Sequence, residues 1–359
     1  MITSMGSFLA VRSFGYRYAI TTTTNAFAVT RAVSAAVATS TTVRWLSVNR
    51  NLGDESSKQD QVLLVAQEEI DSLAVTGRTW KRLGPVVSLA TTTTSSSSSS
   101  SSEMMASSAH TTTTTTASAT AASTRRRGTV VADIGCDHGL LTFGLAATCR
   151  FERVIGVDVS HQALQHGGWA LLEERQQQQQ QQQLDESKDD NDKMSKIEFV
   201  LGNGLQPILD QQIDTICMAG LGVNTMQLIS EPTALDRVAC QRIVVQPVNS
   251  RPRQLMQLYT HLVENCGFSV EKEHISFLSN RWYVSTLFQR RSTPSTLLTV
   301  EDKPFIPGRL LEQSDDEQQR RIHSLYVEHH IAWLRKDSLS KKHVFDPRDQ
   351  TWLAAVGGM

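Results

Sequence analysis

From Thr129 onward, short apolar runs alternate with segments of helical spacing. Val130-Val131-Ala132-Asp133-Ile134 is a compact apolar run ending at Gly135, and Leu140 to Thr148 follows with helical periodicity. Arg153 to Asp158 is a second run, and Ser160 suits the N-cap of a helix that begins at His161 and carries Leu164, Ala170, Leu171 and Leu172. Ile197–Leu201 is a third run, closed by Gly202-Asn203-Gly204, and Ile213–Met218 a fourth, closed by Ala219-Gly220. A helix over Asn224–Ile229 leads to the fifth run, Arg242–Gln246, which Pro247 stops. Leu255, Leu258, Tyr259, Leu262, Val263 and Cys266 then share one helical face, and Gly267 ends it. Phe268–Phe277 and Trp282–Phe288 alternate on either side of Ser279-Asn280, which predicts a hairpin. Upstream, Asp60 to Ala90 reads as helical, with Gly84-Pro85 as a break or a new start. Five strands alternating with helices predict an α/β fold whose parallel sheet is covered on both faces, closed by an antiparallel hairpin.

Composition divides the chain further. Thr91–Thr94 runs into Ser95–Ser102, Thr111–Thr116 follows, and Gln176–Gln183 precedes Asp189, Asp190 and Asp192. Such tracts bury too little apolar surface to offset the entropy of ordering, so 91–124 and 176–195 are expected to be disordered insertions. The first 53 residues contain Arg12, Arg17, Arg31, Arg44 and Arg50 and no Asp or Glu, the character of an organelle transit peptide. The expected organisation is a transit-like tail over 1–59, a helical segment over 60–90, a main domain over 125–292, and a C-terminal helical extension and tail over 293–359. Import into a mitochondrion or plastid is the expectation, with the cytoplasm as the alternative. Net charge is −1, from 35 basic and 36 acidic residues, so any nucleic-acid site must be a local basic patch. The five cysteines form no C-x-x-C pair, which argues against a structural metal, and no apolar run has membrane-spanning length. Oligomeric state is not readable from the sequence.

Ligands in open α/β sheets bind outside the carboxyl ends of the strands. Here those ends carry Asp133, Gly135, Cys136, Asp137, His138 and Gly139, then Asp158 and Val159, then Asn203 and Gly204, then Ala219, Gly220 and Gly222. Gly135 and Gly139 permit a tight turn and close backbone approach, and the helix opening near Leu140 presents free N–H groups to an anionic end. Asp158 is placed to accept from both ribose hydroxyls, and Asn203 to meet an adenine edge. An amino-acid tail, a ribose and a base are the parts of S-adenosylmethionine. The rival, NAD, requires small residues against a pyrophosphate in a G-x-G-x-x-G loop; Asp137 would repel that group. Seven strands with the last one antiparallel is the Rossmann-like arrangement of class I S-adenosylmethionine-dependent methyltransferases.

Val131 to Gly139 resembles the opening motif of the bacterial tRNA (adenine(22)-N1)-methyltransferase family, known as TrmK. Gly202-Asn203-Gly204-Leu205 is similar to its third-strand motif, Asp214 to Gly222 to its fourth, and Val245-Gln246-Pro247 to its fifth. Arg78–Val87 resembles the family's leading helix, and Pro307–Leu334 its C-terminal antiparallel helical pair. The resemblance covers about Ile70–Ala90 and Arg125–Lys336. It implies methyl transfer from S-adenosylmethionine to adenine N1 of tRNA in a eukaryotic, organelle-targeted relative. Val223 departs from the family, which carries a glycine there; a side chain at that point is expected to narrow the approach of the base. That departure is what favours a non-catalytic RNA-binding relative as an alternative, beside a methyltransferase of another RNA or of a small molecule.

Adenine N1 is paired in a duplex, so the base must be unstacked to react. Asp137 is expected to stabilise or deprotonate the cationic product, with His138 positioning it or the base; the competing expectation is that both merely order the loop. Gln246, Pro247 and Asn249, with Gly222, are expected to contact the base. Arg251 and Arg253 on the same rim, and the Arg125–Arg127 triplet, are candidate phosphate contacts.

Overall fold

The computed structural model describes residues 55–73, 79–92, 129–182, 196–291, 306–339 and 346–356. The expectations for residues 1–54, most of the Ser/Thr insertion, Arg125–Arg127 and the acidic end of the glutamine segment lie outside these residues.

Two helices come first, α1 (Glu55–Leu73) and α2 (Thr79–Thr91). They are followed by β1 (Val130–Ile134), α3 (Leu140–Ala147), β2 (Arg153–Asp158), α4 (His161–His166), α5 (Gly168–Gln182), β3 (Lys196–Leu201) and β4 (Thr215–Ala219). Then come α6 (Val223–Ile229), α7 (Pro232–Arg237), β5 (Arg242–Gln246) and α8 (Pro252–Thr260), which a π turn over His261–Asn265 prolongs. The hairpin is β6 (Phe268–Leu278) with β7 (Arg281–Arg290). Helices α9 (Arg309–Glu312), α10 (Glu317–Leu339) and α11 (Pro347–Val356) form the extension.

The seven strands make one sheet in the order β3-β2-β1-β4-β5-β7-β6. β1 to β5 pair in parallel, whereas β7 is antiparallel to β5 and to β6. The order reverses between β1 and β4, which sets a crevice at the carboxyl ends of those strands. Alternate residues face opposite cores. Val131, Cys217, Val244 and Leu287 pack against α1, α2 and α3, and Ala132, Ile216, Ile243, Val245 and Phe288 against α6, α7 and α8. Burial on both faces explains why the sequence shows continuous apolar runs. Ser279 and Asn280 both have positive φ, 50° and 60°, the conformation that a two-residue hairpin turn requires.

Several local expectations differ. Gly84-Pro85 lies inside α2 and does not break it. With no Cβ, Gly84 avoids both the Pro85 ring and the Trp80 indole, which a Cβ would approach to 2.8 Å. The helix expected from His161 divides at Gly167, where the backbone runs against His138. α5 continues through Gln182, well into the segment expected to be disordered, because glutamine is a good helix former and adds to a turn already nucleated. α1 begins at Glu55, inside the expected tail.

The extension is fixed to the β6–β7 half of the sheet. Glu273, buried on β6, accepts from the Gly308 and Leu310 amides at 2.8 and 3.2 Å and from the Tyr259 hydroxyl at 2.7 Å. Tyr326 of α10 donates to the Ser250 carbonyl at 2.7 Å, and Leu334, Trp352 and Val356 close a small core with Met256 of α8.

Candidate functional site

The loop from β1 to α3 is built from backbone that ordinary residues avoid. Gly135 and Gly139 have φ of 76° and 80°, and Asp137 a φ of 50°. The Gly135 and Cys136 amides both donate to the Val157 carbonyl, at 2.8 and 3.1 Å, which stitches the loop to β2. Gly139 caps α3, and any Cβ there would strike the Phe199 ring at 2.8 Å. Packing on Phe199 therefore requires this glycine, independently of any ligand.

Two carboxylates stand at the adjacent ends of β1 and β2. Asp158 is 8% exposed, and its oxygens accept from the Asp137 amide at 2.8 Å and the Ser160 amide at 2.7 Å. It both shapes the loop and retains lone pairs for a ligand. Asp133 is 2% exposed and accepts from the Thr142 hydroxyl of α3 at 2.7 Å. Burial pushes its carboxyl up to about 7, the Thr142 hydrogen bond opposes this, and the charge of Asp158 adds to it. Burial, together with Asp133 and Asp158, also pushes the Cys136 thiol up, so this buried cysteine lines the site as a neutral group. Such a crevice favours a cation. Thr142 has no distinguishing mark in the sequence beyond being a hydroxyl in an apolar helix, and was not singled out there.

Asp137 and His138 sit on the exposed crest of the loop, with Nε2 of His138 3.8 Å from Oδ1 of Asp137. Val159 and Asn203 are exposed beyond β2 and β3, and the Gly202 amide donates to the Asp158 carbonyl at 2.9 Å, which brings the two strand ends together. Beyond β4, Gly220 has φ 80° and a Cβ there would meet nothing within 4 Å, while one at Gly222 would meet only the Thr225 hydroxyl at 3.9 Å. The expected ligand residues from Asp133 to Gly222 thus line one edge of the sheet, and the backbone at Ala219-Gly220 opens onto space.

The expected base and phosphate contacts are placed differently. Gln246 is buried, and its carboxamide donates to the Arg82 carbonyl of α2 at 2.7 Å and to the Ser285 hydroxyl at 2.8 Å, so it ties the helix to the sheet. Pro247 is buried, and Asn249 accepts from the Arg251 amide at 3.2 Å, shaping the start of α8. The Arg251 guanidinium lies 4.7 Å from the centre of the Trp333 ring, and Arg253 pairs with Asp349 at 3.4 Å. Both arginines therefore hold the extension instead of presenting an open basic rim. Val223 is 6% exposed and packs in the main core, so its side chain does not narrow the crevice as expected. As the first residue of α6 it points inward, and the neighbouring glycines face the opening.

Residues 119–285 match a family model described as a methyltransferase domain. That match spans somewhat less than half of the chain. The sheet order and reversed β7 are those of the class I methyltransferase fold. No curated protein matches the chain. Among solved structures, it is similar to M. capricolum TrmK in complex with S-adenosyl-homocysteine, at 17% identity over 65% of this chain and 88% of that one, with TM-score 0.43. The B. subtilis m1A22 tRNA methyltransferase TrmK gives 17% identity over 65% and 89%, with TM-score 0.42. The ribosomal protein L11 methylase of Lactobacillus delbrueckii subsp. bulgaricus gives 16% over 47% and 73%, with TM-score 0.33. These are likenesses of fold.

Proposed function

We propose that the methyltransferase domain uses S-adenosylmethionine to methylate N1 of an adenine in tRNA. The observation that carries the donor assignment is the pair of buried carboxylates, Asp133 and Asp158, at the adjacent ends of β1 and β2. Bound there, the donor supplies a methyl group on a sulfonium, and the two carboxylates suit its ammonium and ribose hydroxyls. Asn203 and the exposed Val159 are left for the adenine ring. The loop amides at the start of α3 suit the donor carboxylate.

For the acceptor, the support is the motif from Asp133 to Gly139 and its similarity to the adenine-N1 family, together with the place of Asp137. Its carboxylate is exposed on the crest of the donor loop, with a backbone held by Asp158. A carboxylate so placed accepts the proton that leaves the adenine amino group after N1 is alkylated, and His138 positions it. Alignment of the two reactants, more than covalent chemistry, is the domain's contribution.

Two measurements test this. Calorimetry with S-adenosylmethionine is expected to show one site; no binding ends the enzyme reading. Mass spectrometry of nucleosides from tRNA incubated with protein and donor is expected to show 1-methyladenosine; a different modified nucleoside, or none, overturns the acceptor assignment. Asp137→Ala is expected to keep donor affinity and lose turnover by about 100-fold or more, the usual scale for general acid–base groups. Unchanged turnover removes Asp137 from the chemistry.

A further inference from the structure

The β6–β7 hairpin is longer than the sheet needs. Thr286 is the last residue of β7 paired with β5, opposite Val245, and β5 ends one residue later at Gln246. The strand nevertheless extends back to Arg281, paired throughout with β6. At about 3.4 Å per residue, the tip stands on the order of 14 Å beyond β5, on the same edge as the donor loop.

That overhang carries an aromatic stack. Phe277 and Trp282 face each other directly in the ladder, with ring centroids 4.6 Å apart. Trp282 is braced from behind by Tyr326 at 5.5 Å and His329 at 5.8 Å, both on α10. Phe277 is 50% exposed, on a tip whose turn Ser279 and Asn280 already define. A rigid, backed phenyl ring with one open side serves no core.

Charge is divided along this edge. The β1–β2 half presents Asp133, Asp137 and Asp158, whereas segments 247–253 and 276–283 hold Arg251, Arg253 and Arg281 and no acidic residue. Arg251 and Arg253 are engaged by the extension, while Arg281 is exposed at the tip, one rung beyond the stack. Arg281 is thus the cation that the hairpin tip itself offers to solvent.

We propose that the hairpin tip is an RNA-stacking platform, in which Phe277, backed by Trp282, stacks on an unpaired base of the substrate and Arg281 meets an adjoining phosphate. The inference rests on the RNA reading of the site. It follows from a π-face open to solvent on a hairpin tip that also carries an exposed arginine, since every base offers a face to an aromatic ring whatever its sequence.

The test compares wild type, Phe277→Ala, Phe277→Trp and Arg281→Gln. Each is assayed for affinity to bulk tRNA at several salt concentrations, for S-adenosylmethionine affinity by calorimetry, and for thermal melting. Phe277→Ala is expected to weaken tRNA binding about tenfold or more, with donor affinity and the salt slope unchanged. Phe277→Trp is expected to bind like wild type. Arg281→Gln is expected to reduce the salt slope by about one ion. Wild-type tRNA affinity in Phe277→Ala overturns the platform while leaving the RNA reading intact. Wild-type protein that binds donor but no tRNA ends the RNA reading and the platform together.

Discussion

Asp133 holds its proton to about pH 7 because burial disfavours its charge, so its effect on stability has a definite sign. Between the ordinary carboxylate range and pH 7, the folded protein binds a proton that the unfolded chain has released. Stability from this group therefore falls as pH rises through that window and levels off above it. Asp158, Cys136 and Cys217 are the titratable groups around it, and none supplies a compensating positive charge. Donor-free Asp133→Asn protein is expected to melt higher than wild type at pH 8, with the difference shrinking towards pH 5, while donor affinity is lost. Parallel melting curves for the two proteins across this range would show that Asp133 does not carry the burden. Asp133 and Asp158 were legible because strand ends are marked by the change from apolar run to glycine. Gln246 and Val223 were not, because spacing identifies a strand end or helix start but not which way its side chain turns.

At the level of elements, α1 and α2 join α3 on one face of the sheet through a few directed contacts. The Arg242 guanidinium donates to the Leu89 and Ala90 carbonyls at 2.9 and 3.1 Å, satisfying groups that the last turn of α2 leaves open. Glu69 of α1 pairs with Arg175 of α5 at 2.8 Å, both nearly buried. Burial raises the Glu69 carboxyl despite the opposing charge of Arg175, so the pair fixes alignment more than it adds stability. Arg175→Met is expected to cost about 3–5 kcal/mol by leaving Glu69 buried alone, and Glu69→Leu combined with Arg175→Met markedly less, as read by urea unfolding. Equal losses would mean that the charges do not interact. The helices themselves were readable from their periodicity. Their seat on β5 was not, because it is made by an arginine and a glutamine whose partners lie about 150 residues away.

On the scale of the whole molecule, the C-terminal extension is held by neutral histidines. Burial lowers His330 to about 4, with the Tyr326 carbonyl opposing and the charges of His329 and Arg251 adding, and burial lowers His323 as well. Between pH 6.5 and about 4 the unfolded chain binds a proton that folded His330 refuses, and His323 acts in the same direction, so stability rises with pH across that window and is lost on acidification. Tryptophan fluorescence is expected to report loosening around Trp352 as pH falls below 6, and His330→Phe to remove much of that dependence. A flat response in wild type would exclude the histidines as the cause. The extension's existence was legible from its helical spacing, but its attachment through Glu273, Tyr326 and Arg253 depends on pairings that no local pattern encodes.

The grip of β5 on α2 has one more consequence. The first two helices join the sheet through Arg82, Leu89 and Ala90, while the peptide chain reaches β1 only at residue 130. The connection between them closes a loop on one core, and the entropic cost of such a closure rises only logarithmically with its length. A protease site placed within 100–120 and cut after folding is expected to yield two fragments that elute together and still bind donor. The unit that folds would then be two polypeptides with a single core.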